Sequence, residues 1–220
     1  MSVLRNRYSF IIFDWDGTLM DSTGRIVSSM QSTAKIADLP IPSEESVKSI
    51  IGLSMDAVMD TMFPSANGSL REKLFEIYRH QYVEGDDTPS PLFQGSLPLL
   101  NWLKQINIPI AVATGKARHG LTRVLNEVNL IDFFDHTICA DEAESKPHPE
   151  MVERLVVDAN KSKQETLVIG DSIHDMKMAN NAGVDAVAVT SGANQSEQLS
   201  EHNPVSILPR VCDLRQWLEQ

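Results

Sequence analysis

The sequence predicts an α/β protein built around a parallel sheet, and two observations lead to this prediction. The run from Phe10 to Phe13 is apolar at every position, which is typical of a strand that helices cover on both faces. Comparable apolar runs recur later in the chain, and segments with helical periodicity separate them. Alternating strands and helices form right-handed βα units, so we expect a doubly wound parallel sheet.

Between the first and second predicted strands, the periodicity is helical only. A first helix carries an apolar stripe until two nearby prolines end it. A second helix is predicted to begin after Ser43 and to end at Gly52, and a third begins after Ser54. A fourth is predicted over 70–83. The polar stretch 84–91, which contains glycine and prolines, is predicted to lead back to the sheet.

We therefore expect two domains. A core comprises residues 1–20 and 90–220, and an inserted, all-helical domain comprises residues 21–89. The second half of the chain supplies the remaining strands, which we predict at 108–113, 136–140, 166–169, 186–189 and 205–208. Helices are predicted around them at 97–106, 121–128, 151–156, 174–182 and 211–218.

Composition and charge narrow the class of protein. The hydrophobic content of 42% and the charged content of 22% are ordinary for a soluble globular protein. The formal net charge of -11 repels polyanions, which argues against a nucleic acid polymer or an anionic membrane as partner. No apolar stretch approaches the ~20 residues of a membrane span and no secretory signal pattern is present, so we expect a cytoplasmic protein. Cys139 and Cys212 are expected to be reduced, packed thiols.

Two acids, Asp14 and Asp16, directly follow the first strand. Open parallel sheets bind their ligands at the carboxyl ends of the strands. Carboxylates this close repel each other unless a cation or a proton lies between them. Since Asp-Gly is also a common turn signal, Asp16 and Gly17 have a purely structural alternative interpretation.

Polar motifs also follow three later strands: Thr114-Gly115-Lys116, Lys146-Pro147, and Gly170-Asp171-Ser172 with Asp175. In a parallel sheet all of them meet the first two acids along one edge. Thr114 offers a hydroxyl, and Gly115 a closely approaching N–H, to phosphate oxygens. Lys146 provides a charge that would neutralise a phosphoryl group and a nearby carboxylate. Asp171 adds a third acid, and an oxygen-only cluster favours a hard cation such as Mg²⁺.

Each motif also has a structural interpretation. Thr114 and Gly115 suit a plain turn, and Lys146 suits a solvated lysine before a helix. The segment 171–175 suits a helix N-cap with an acid in the first turn. The occurrence of all these motifs after successive strands, rather than any one of them, favours a functional site.

Four ordered motifs resemble those of the haloacid dehalogenase superfamily: Asp14-Trp-Asp-Gly-Thr18, then Thr114, then Lys146-Pro147, then Gly170-Asp171-Ser172 with Asp175. Within that superfamily the chain is most similar to the phosphoglycolate-phosphatase-like branch, whose helical cap domain is inserted directly after the first motif. The resemblance extends over the whole chain. It implies a Rossmann-like core with phosphoryl chemistry, and it does not specify a substrate.

The resemblance implies an Mg²⁺-dependent phosphatase that hydrolyses a small phosphorylated metabolite, such as phosphoglycolate, a sugar phosphate or a nucleotide. Asp14 would be the nucleophile that forms an aspartyl phosphate, and Asp16 would protonate the leaving oxygen and then activate water. Mg²⁺ would be held by Asp14, the Asp16 backbone carbonyl and Asp171. Lys146 would assist catalysis by cancelling like-charge repulsion.

Asp175 and Ser172 are expected to support the site, Asp175 by orienting a metal-bound water or Lys146. In this family the cap closes over the leaving group, so we expect substrate choice near residues 22–25 and 52–55. Arg25 is the candidate cation there, and a solvated arginine in a first helical turn fits it equally well. Among the cations that follow the second motif, Lys116 is the best candidate for a substrate contact. Cap methionines such as Met55 are either core residues or part of a site for a variable leaving group.

Two further hypotheses stay open. A phosphosugar mutase, an isomerase, is disfavoured because mutases of this branch use a cap histidine shortly after the first motif, and residues 19–30 contain none. A non-catalytic phosphate- or metal-binding module is disfavoured because all the expected acids are present. Dehalogenase members lack the acid that Asp16 supplies. We expect a monomer or a homodimer.

Overall fold

The computed structural model describes residues 3–220, and these contain a six-stranded parallel sheet. The strands are β1 (Phe10–Phe13), β2 (Ile110–Thr114), β3 (His136–Cys139), β4 (Thr166–Gly170), β5 (Asp185–Val189) and β6 (Ser206–Leu208). Their order in the sheet is β3-β2-β1-β4-β5-β6, so β1 lies centrally between β2 and β4. The predicted fold class and all the predicted strands are confirmed.

The helices that the structure describes include two that the sequence analysis did not predict. In chain order they are α1 (Val3–Arg7), α2 (Thr23–Ile36), α3 (Glu44–Lys48), α4 (Met55–Met62), α5 (Gly68–His80), α6 (Ser96–Gln105), α7 (Arg118–Glu127), α8 (Glu150–Asp158), α9 (Ile173–Ala182), α10 (Ser196–Ser200) and α11 (Leu214–Leu218). A π-helical turn, Gln81–Gly85, extends α5, and single 3-10 turns lie at Lys163–Glu165 and Val211–Asp213. The unpredicted helices are α1 and α10, whose five residues each are too short to carry a periodic pattern.

The predicted helix after Ser43 ends earlier than expected. It stops at Lys48, and the following residues form successive turns in which Ile50 donates its N–H to Val47 and Leu53 donates to Ile50. The chain then reverses at a glycine with φ of +96°. These turns bury Ile50 although it is outside a helix, so an apolar stripe indicated burial correctly but overstated helix length.

Helices cover both faces of the sheet, which explains why apolar and polar residues do not alternate in β1. Ile11 and Phe13 belong to one apolar cluster with residues of α6, α7 and α11. Phe10 and Ile12 belong to a second cluster with residues of α8 and α9. All four side chains are fully buried, and each contributes about 1.5–3 kcal/mol of transfer free energy to folding.

A third apolar cluster lies within the helices α2 to α5. Met30, Met59 and Leu74 have no exposed surface there, so Met59 is a core residue. Ala193, from the loop after β5, also packs into this cluster and joins the helical block to the sheet domain. We call the block formed by α2 to α5 and the π-helical turn the cap. The domain boundaries at residues 20 and 90 stay a prediction.

Among the described residues, none of the helices combines the length and apolarity that crossing a membrane requires. The cytoplasmic location expected from the sequence stays a prediction.

The two cysteines are free thiols in different environments. Cys139 ends β3 and is buried, whereas Cys212 is half-buried. Burial raises the pKa of the Cys139 thiol to about 12, although the nearby Arg118 guanidinium opposes this effect. Because the thiolate is the reactive form, Cys139 is protected both sterically and chemically.

We expect iodoacetamide to alkylate Cys212 well before Cys139 in the native protein, and both at similar rates in denaturant. Between about pH 7 and 9 the labelling rate of an ordinary thiol rises as the thiolate forms, but that of native Cys139 should stay nearly flat because its pKa is raised. Peptide mass spectrometry after timed labelling measures both rates. Fast, pH-dependent labelling of Cys139 in the folded protein would contradict its burial.

Candidate active site

Asp14 and Asp16 follow β1 at the sheet edge where the strands end. The N–H of Asp14 donates to the carbonyl of Ile169 at 2.8 Å, so the pairing of β1 with β4 continues to the first acid. The chain then turns through Gly17, whose φ is +83°. A Cβ at Gly17 would overlap the carboxylate of Asp171, so glycine lets acids from neighbouring strands approach each other here.

Lys146 supplies a buried positive charge. It lies between β3 and α8, and its Nζ donates to Oδ1 of Asp14 at 2.5 Å and to Oδ1 of Asp175 at 2.7 Å. The residue is 1% exposed, which excludes the alternative of a solvated lysine. Burial acts to lower the pKa of Lys146, but the charges of Asp14 and Asp175 outweigh this effect and raise it. The ammonium group therefore stays protonated.

Asp171 follows β4 and is held by donors from two loops. Thr18 Oγ1 donates to its Oδ1 at 2.9 Å, and the Ala193 backbone N–H donates to its Oδ2 at 2.6 Å. Burial, with the nearby charge of Asp175, raises the pKa of Asp171 to about 7, although both donors favour the ionised form.

Asp14, Asp171 and Asp175 each offer one carboxylate oxygen within 4.8 Å of the others, and all three are buried. Burial raises the pKa of Asp14 well above its usual range, and the neighbouring carboxylates add to this effect while Lys146 opposes it. One ammonium group does not neutralise three carboxylates. This negative, oxygen-only group fits a hard divalent cation.

The side chain of Asp16 has a separate set of partners. Ser22 Oγ donates to its Oδ1 at 2.6 Å, and Lys116 Nζ lies 3.0 Å from the same oxygen. Lys116 also donates to the hydroxyl of Tyr82 at 3.2 Å and lies over that ring. Burial acts to lower the pKa of Lys116, but the charge of Asp16 and the two nearby tyrosines outweigh it, so the pKa is raised. The ion pair joins the loops that follow β1 and β2, and the hydrogen bond from Lys116 to Tyr82 links this pair to the cap.

Thr114 and Gly115 lie where β2 meets the cap. Thr114 is the last residue of β2 and is fully buried, and its Oγ1 accepts a hydrogen bond from the N–H of Lys116 at 3.2 Å. A Cβ at Gly115 would lie 2.5 Å from the carbonyl oxygens of Gly52 and Leu53. The absence of a side chain therefore permits close contact between core and cap, and the phosphate-binding role of this pair stays a prediction.

Two more hydrogen bonds cross from core to cap. The Ser54 N–H donates to Oγ of Ser145 at 2.8 Å, and His174 Nε2 lies 2.9 Å from the carbonyl oxygen of Ser49. Burial lowers the pKa of His174. Contacts at four separate points thus hold the cap beside the acids.

Ser172 and Asp175 also form the N-terminal capping box of helix α9, in addition to their place in the site. Ser172 Oγ lies 2.6 Å from Asp175 Oδ2, and the Asp175 carboxylate also accepts the Ser172 N–H at 3.1 Å. Since the other oxygen of Asp175 accepts from Lys146, one carboxylate begins the helix and orients the lysine. The helix-cap interpretation and the functional one are therefore compatible at this motif.

Arg25 has partners outside the group of acids. Its Nε donates to the carbonyl of Thr88 at 2.6 Å, and its guanidinium lies over the ring of Tyr82. Thr88 belongs to the segment that returns to the sheet, so Arg25 ties α2 to this segment. A cavity lies between Asp16 and the cap, and Arg25 is not among the described residues that line it. Its predicted substrate role has no supporting contact and stays a prediction.

Sequence analysis assigned no individual role to Thr18, Tyr82 or the Ala193 N–H, and it placed Ser22 only in the segment 22–25 expected to influence substrate choice. Thr18 had a local signal, because it stands four residues after Asp14 in the first motif. Tyr82 had no such signal, and the contact of Ser22 with Asp16 was not predicted, since both contacts depend on how the cap folds back over the sheet.

Lys146→Met should destabilise the metal-free protein by about 3–5 kcal/mol, because removing one partner leaves buried carboxylates without their counter-charge. Lys163→Met is the matched control: its ion pair with Glu153 is well exposed and should contribute less than about 1 kcal/mol. Urea unfolding in a chelating buffer measures both changes. Equal effects of the two substitutions would show that the buried ammonium does not hold the acids together.

Residues 11–189 of the chain match the haloacid dehalogenase-like hydrolase family. The phosphoglycolate phosphatase of Nitrosococcus oceani is 27% identical over 216 residues, covering 96% of each chain. Pyrophosphatase PpaX of Bacillus mycoides is 30% identical over 205 residues, covering 93% of this chain and 94% of its own. The crystal structure of a hydrolase from Pseudomonas syringae has a TM-score of 0.87 at 24% identity, covering 96% of this chain and 97% of its own. Because this match spans most of the chain and includes all four motifs, the chain belongs to the haloacid dehalogenase-like hydrolases.

Proposed function

We propose that this phosphoric monoester hydrolase is an Mg²⁺-dependent phosphatase that hydrolyses a small phosphorylated metabolite through an aspartyl-phosphate intermediate. The observation that carries the proposal is the contact of buried Lys146 with Asp14 and Asp175, beside the carboxylate of Asp171. A phosphate dianion would meet repulsion from these acids unless positive charge were concentrated there. The fixed ammonium supplies part of that charge.

In this proposal Asp14 is the nucleophile. Its carboxylate bonds to phosphorus as the bond between phosphorus and the leaving oxygen breaks, and a water molecule then displaces the phosphoryl group from Asp14. Lys146 holds Asp14 in place through the 2.5 Å contact and offers charge to the phosphoryl oxygens. Asp175 keeps Lys146 in position from the opposite side.

Asp16 is the proposed general acid and base. The Asp16 side chain is separate from the three-carboxylate group and lines the cavity under the cap, where a leaving group would lie, and this position supports the role. Asp16 gives a proton to the leaving oxygen in the first step and takes one from water in the second. Ser22 and Lys116 fix the orientation of its Oδ1.

The remaining site residues would bind phosphate and metal. Thr114 and Gly115 are proposed to donate hydrogen bonds to phosphate oxygens. A Mg²⁺ ion would be held by carboxylates of Asp14 and Asp171 and by the Asp16 backbone carbonyl, and it would supply positive charge that Lys146 alone does not provide. We propose that partners are confined to small phosphorylated molecules.

Asp14→Asn should lower phosphate release by about 10³-fold or more, because an amide is a poor nucleophile towards phosphorus. Asp21→Asn is the matched control: Asp21 is exposed just beyond the same loop, and its substitution should leave the rate unchanged. Phosphate release from an aryl phosphate and a panel of metabolite phosphates measures both, with Mg²⁺ and with chelator.

Release that survives both Asp14→Asn and chelation would contradict the proposed nucleophile and metal. Conversion of a sugar phosphate without phosphate release would instead favour the mutase hypothesis. Absence of turnover together with retained metal or phosphate binding would favour the binding-module hypothesis.

Gly115→Ala should lower kcat/KM by about 10²-fold, since its Cβ would push against the cap carbonyls and shift the reacting groups relative to each other. Gly24→Ala is the matched control, because Gly24 is exposed, does not line the cavity under the cap, and a Cβ there meets only ordinary contact at 3.5 Å from the Thr88 methyl group. Steady-state kinetics and circular dichroism of both variants provide the measurement. Full activity of a correctly folded Gly115→Ala variant would exclude the need for this close contact.

A further inference from the structure

A cavity of about 540 Å³ lies between Asp16 and the inner surface of the cap. Asp16 and Lys116 lie at its core side, and Gly115 lines it next to them. A phosphoryl group bound at the strand ends would therefore direct its leaving group into this space. The cavity belongs to the proposed reaction as the site of the leaving group, so the inference that follows rests on the proposed function.

The walls of the cavity are mainly apolar. Met30, Ile50 and Val58 line it with almost no exposure to solvent, and Met55 and Phe75 line it as half-buried side chains. Apolar walls of this extent favour ligands that bury apolar surface and disfavour charged groups, which would lose their hydration there.

Two basic residues of the lining already have partners. Lys116 pairs with Asp16, and Arg123 donates to Glu127 at 2.5 Å. The other basic residues of the lining, Arg79 and His119, are exposed. The cation that the structure shows in contact with Asp16 is Lys116, and it is already paired with Asp16 itself, so a short anionic leaving group there would meet this ion pair and apolar walls.

The size of the cavity points in the same direction. Ligand pockets of roughly 300–1,000 Å³ enclose molecules of drug-like size. A two-carbon acid attached to the phosphate would leave most of this space unfilled, whereas a ring-bearing group would contact several walls at once. Tyr78 and Tyr82, which are stacked with 5.9 Å between ring centroids, add an aromatic wall suited to a ring.

We infer that the preferred substrate is a phosphate monoester whose leaving group is uncharged, largely apolar and about the size of a ring, rather than a short anionic acid. Cap residues such as Met55 would then determine specificity through apolar contact with the leaving group. Met55 thereby fits the alternative that cap methionines serve a variable leaving group, whereas Met59 is part of the core.

The test compares three primary alkyl phosphates with similar alkoxide leaving groups: 2-phenylethyl phosphate, ethyl phosphate and 2-phosphoglycolate. In wild-type protein with Mg²⁺, we expect kcat/KM for the phenylethyl ester to exceed that of the other two by about tenfold or more. Met55→Ala should lower kcat/KM for the phenylethyl ester by about tenfold while leaving that for ethyl phosphate unchanged. Met62→Ala is the matched control, because Met62 lies on the same helix, is also half-buried and does not line the cavity.

Higher efficiency on 2-phosphoglycolate than on the phenylethyl ester would overturn this inference and leave the phosphatase proposal intact. Equal losses in Met55→Ala and Met62→Ala would also overturn it, because the effect would then reflect general damage to the cap. Failure to release phosphate from all three esters and from the aryl phosphate would overturn the phosphatase proposal and this inference together.

Discussion

The almost fully buried ammonium group of Lys146 donates hydrogen bonds to two carboxylates, and the arrangement of the other site residues depends on it. Its partners come from distant parts of the chain: Asp14 follows β1 and Asp175 begins α9. Parallel pairing of β1 with β4 brings these elements side by side, so the sheet order is a requirement of the charge arrangement. Burying three acids with one base is costly unless further positive charge is bound. A site of this kind is suited to an anionic ligand that binds together with a metal cation, as a phosphate group does.

The Asp16 side chain has partners different from those of the three buried carboxylates. The carboxylates that fit a cation come from the core, whereas the partners of the Asp16 side chain include Ser22 at the cap entrance and, through Lys116, Tyr82 of the cap. If Asp16 is the proposed general acid and base, contacts with both the core and the cap would allow cap closure to control its orientation and its access to water. The close approach of Gly115 to the cap carbonyls is a further contact between core and cap next to Asp16 and Lys116.

The relatives named phosphoglycolate phosphatase share the fold and about a quarter of the residues with this chain, and the cavity under the cap suggests a different preference. Chemistry at the strand ends acts on the phosphoryl group, which is the same in every substrate. In the proposed function, leaving-group selection would depend on cavity-lining side chains such as Met55 and Phe75, which no motif constrains. Family membership therefore carries the reaction class more firmly than the substrate.

Local patterns determined the strands, most helices and the acids at the strand ends. The apolar run from Phe10 to Phe13 indicated a strand that is buried on both faces. Asp14 is the next residue, so it lies at the end of this strand whatever the order of the strands in the sheet. Local patterns were less informative about helix ends, since α3 stops at Lys48 where packing favours turns. They also named Lys146 and Asp171 correctly as residues that meet the first motif, because parallel βα units bring all strand ends to one edge.

Tertiary structure alone decided which acid has which partner. Asp14 and Asp16 stand two residues apart, yet one contacts Lys146 and the other Ser22 and Lys116. It also placed Arg25 against Thr88 and formed the apolar cavity from residues of the cap and the core. The physical reason is that hydrophobic periodicity specifies which face of an element is buried, while the partner of a polar side chain depends on how separate elements pack.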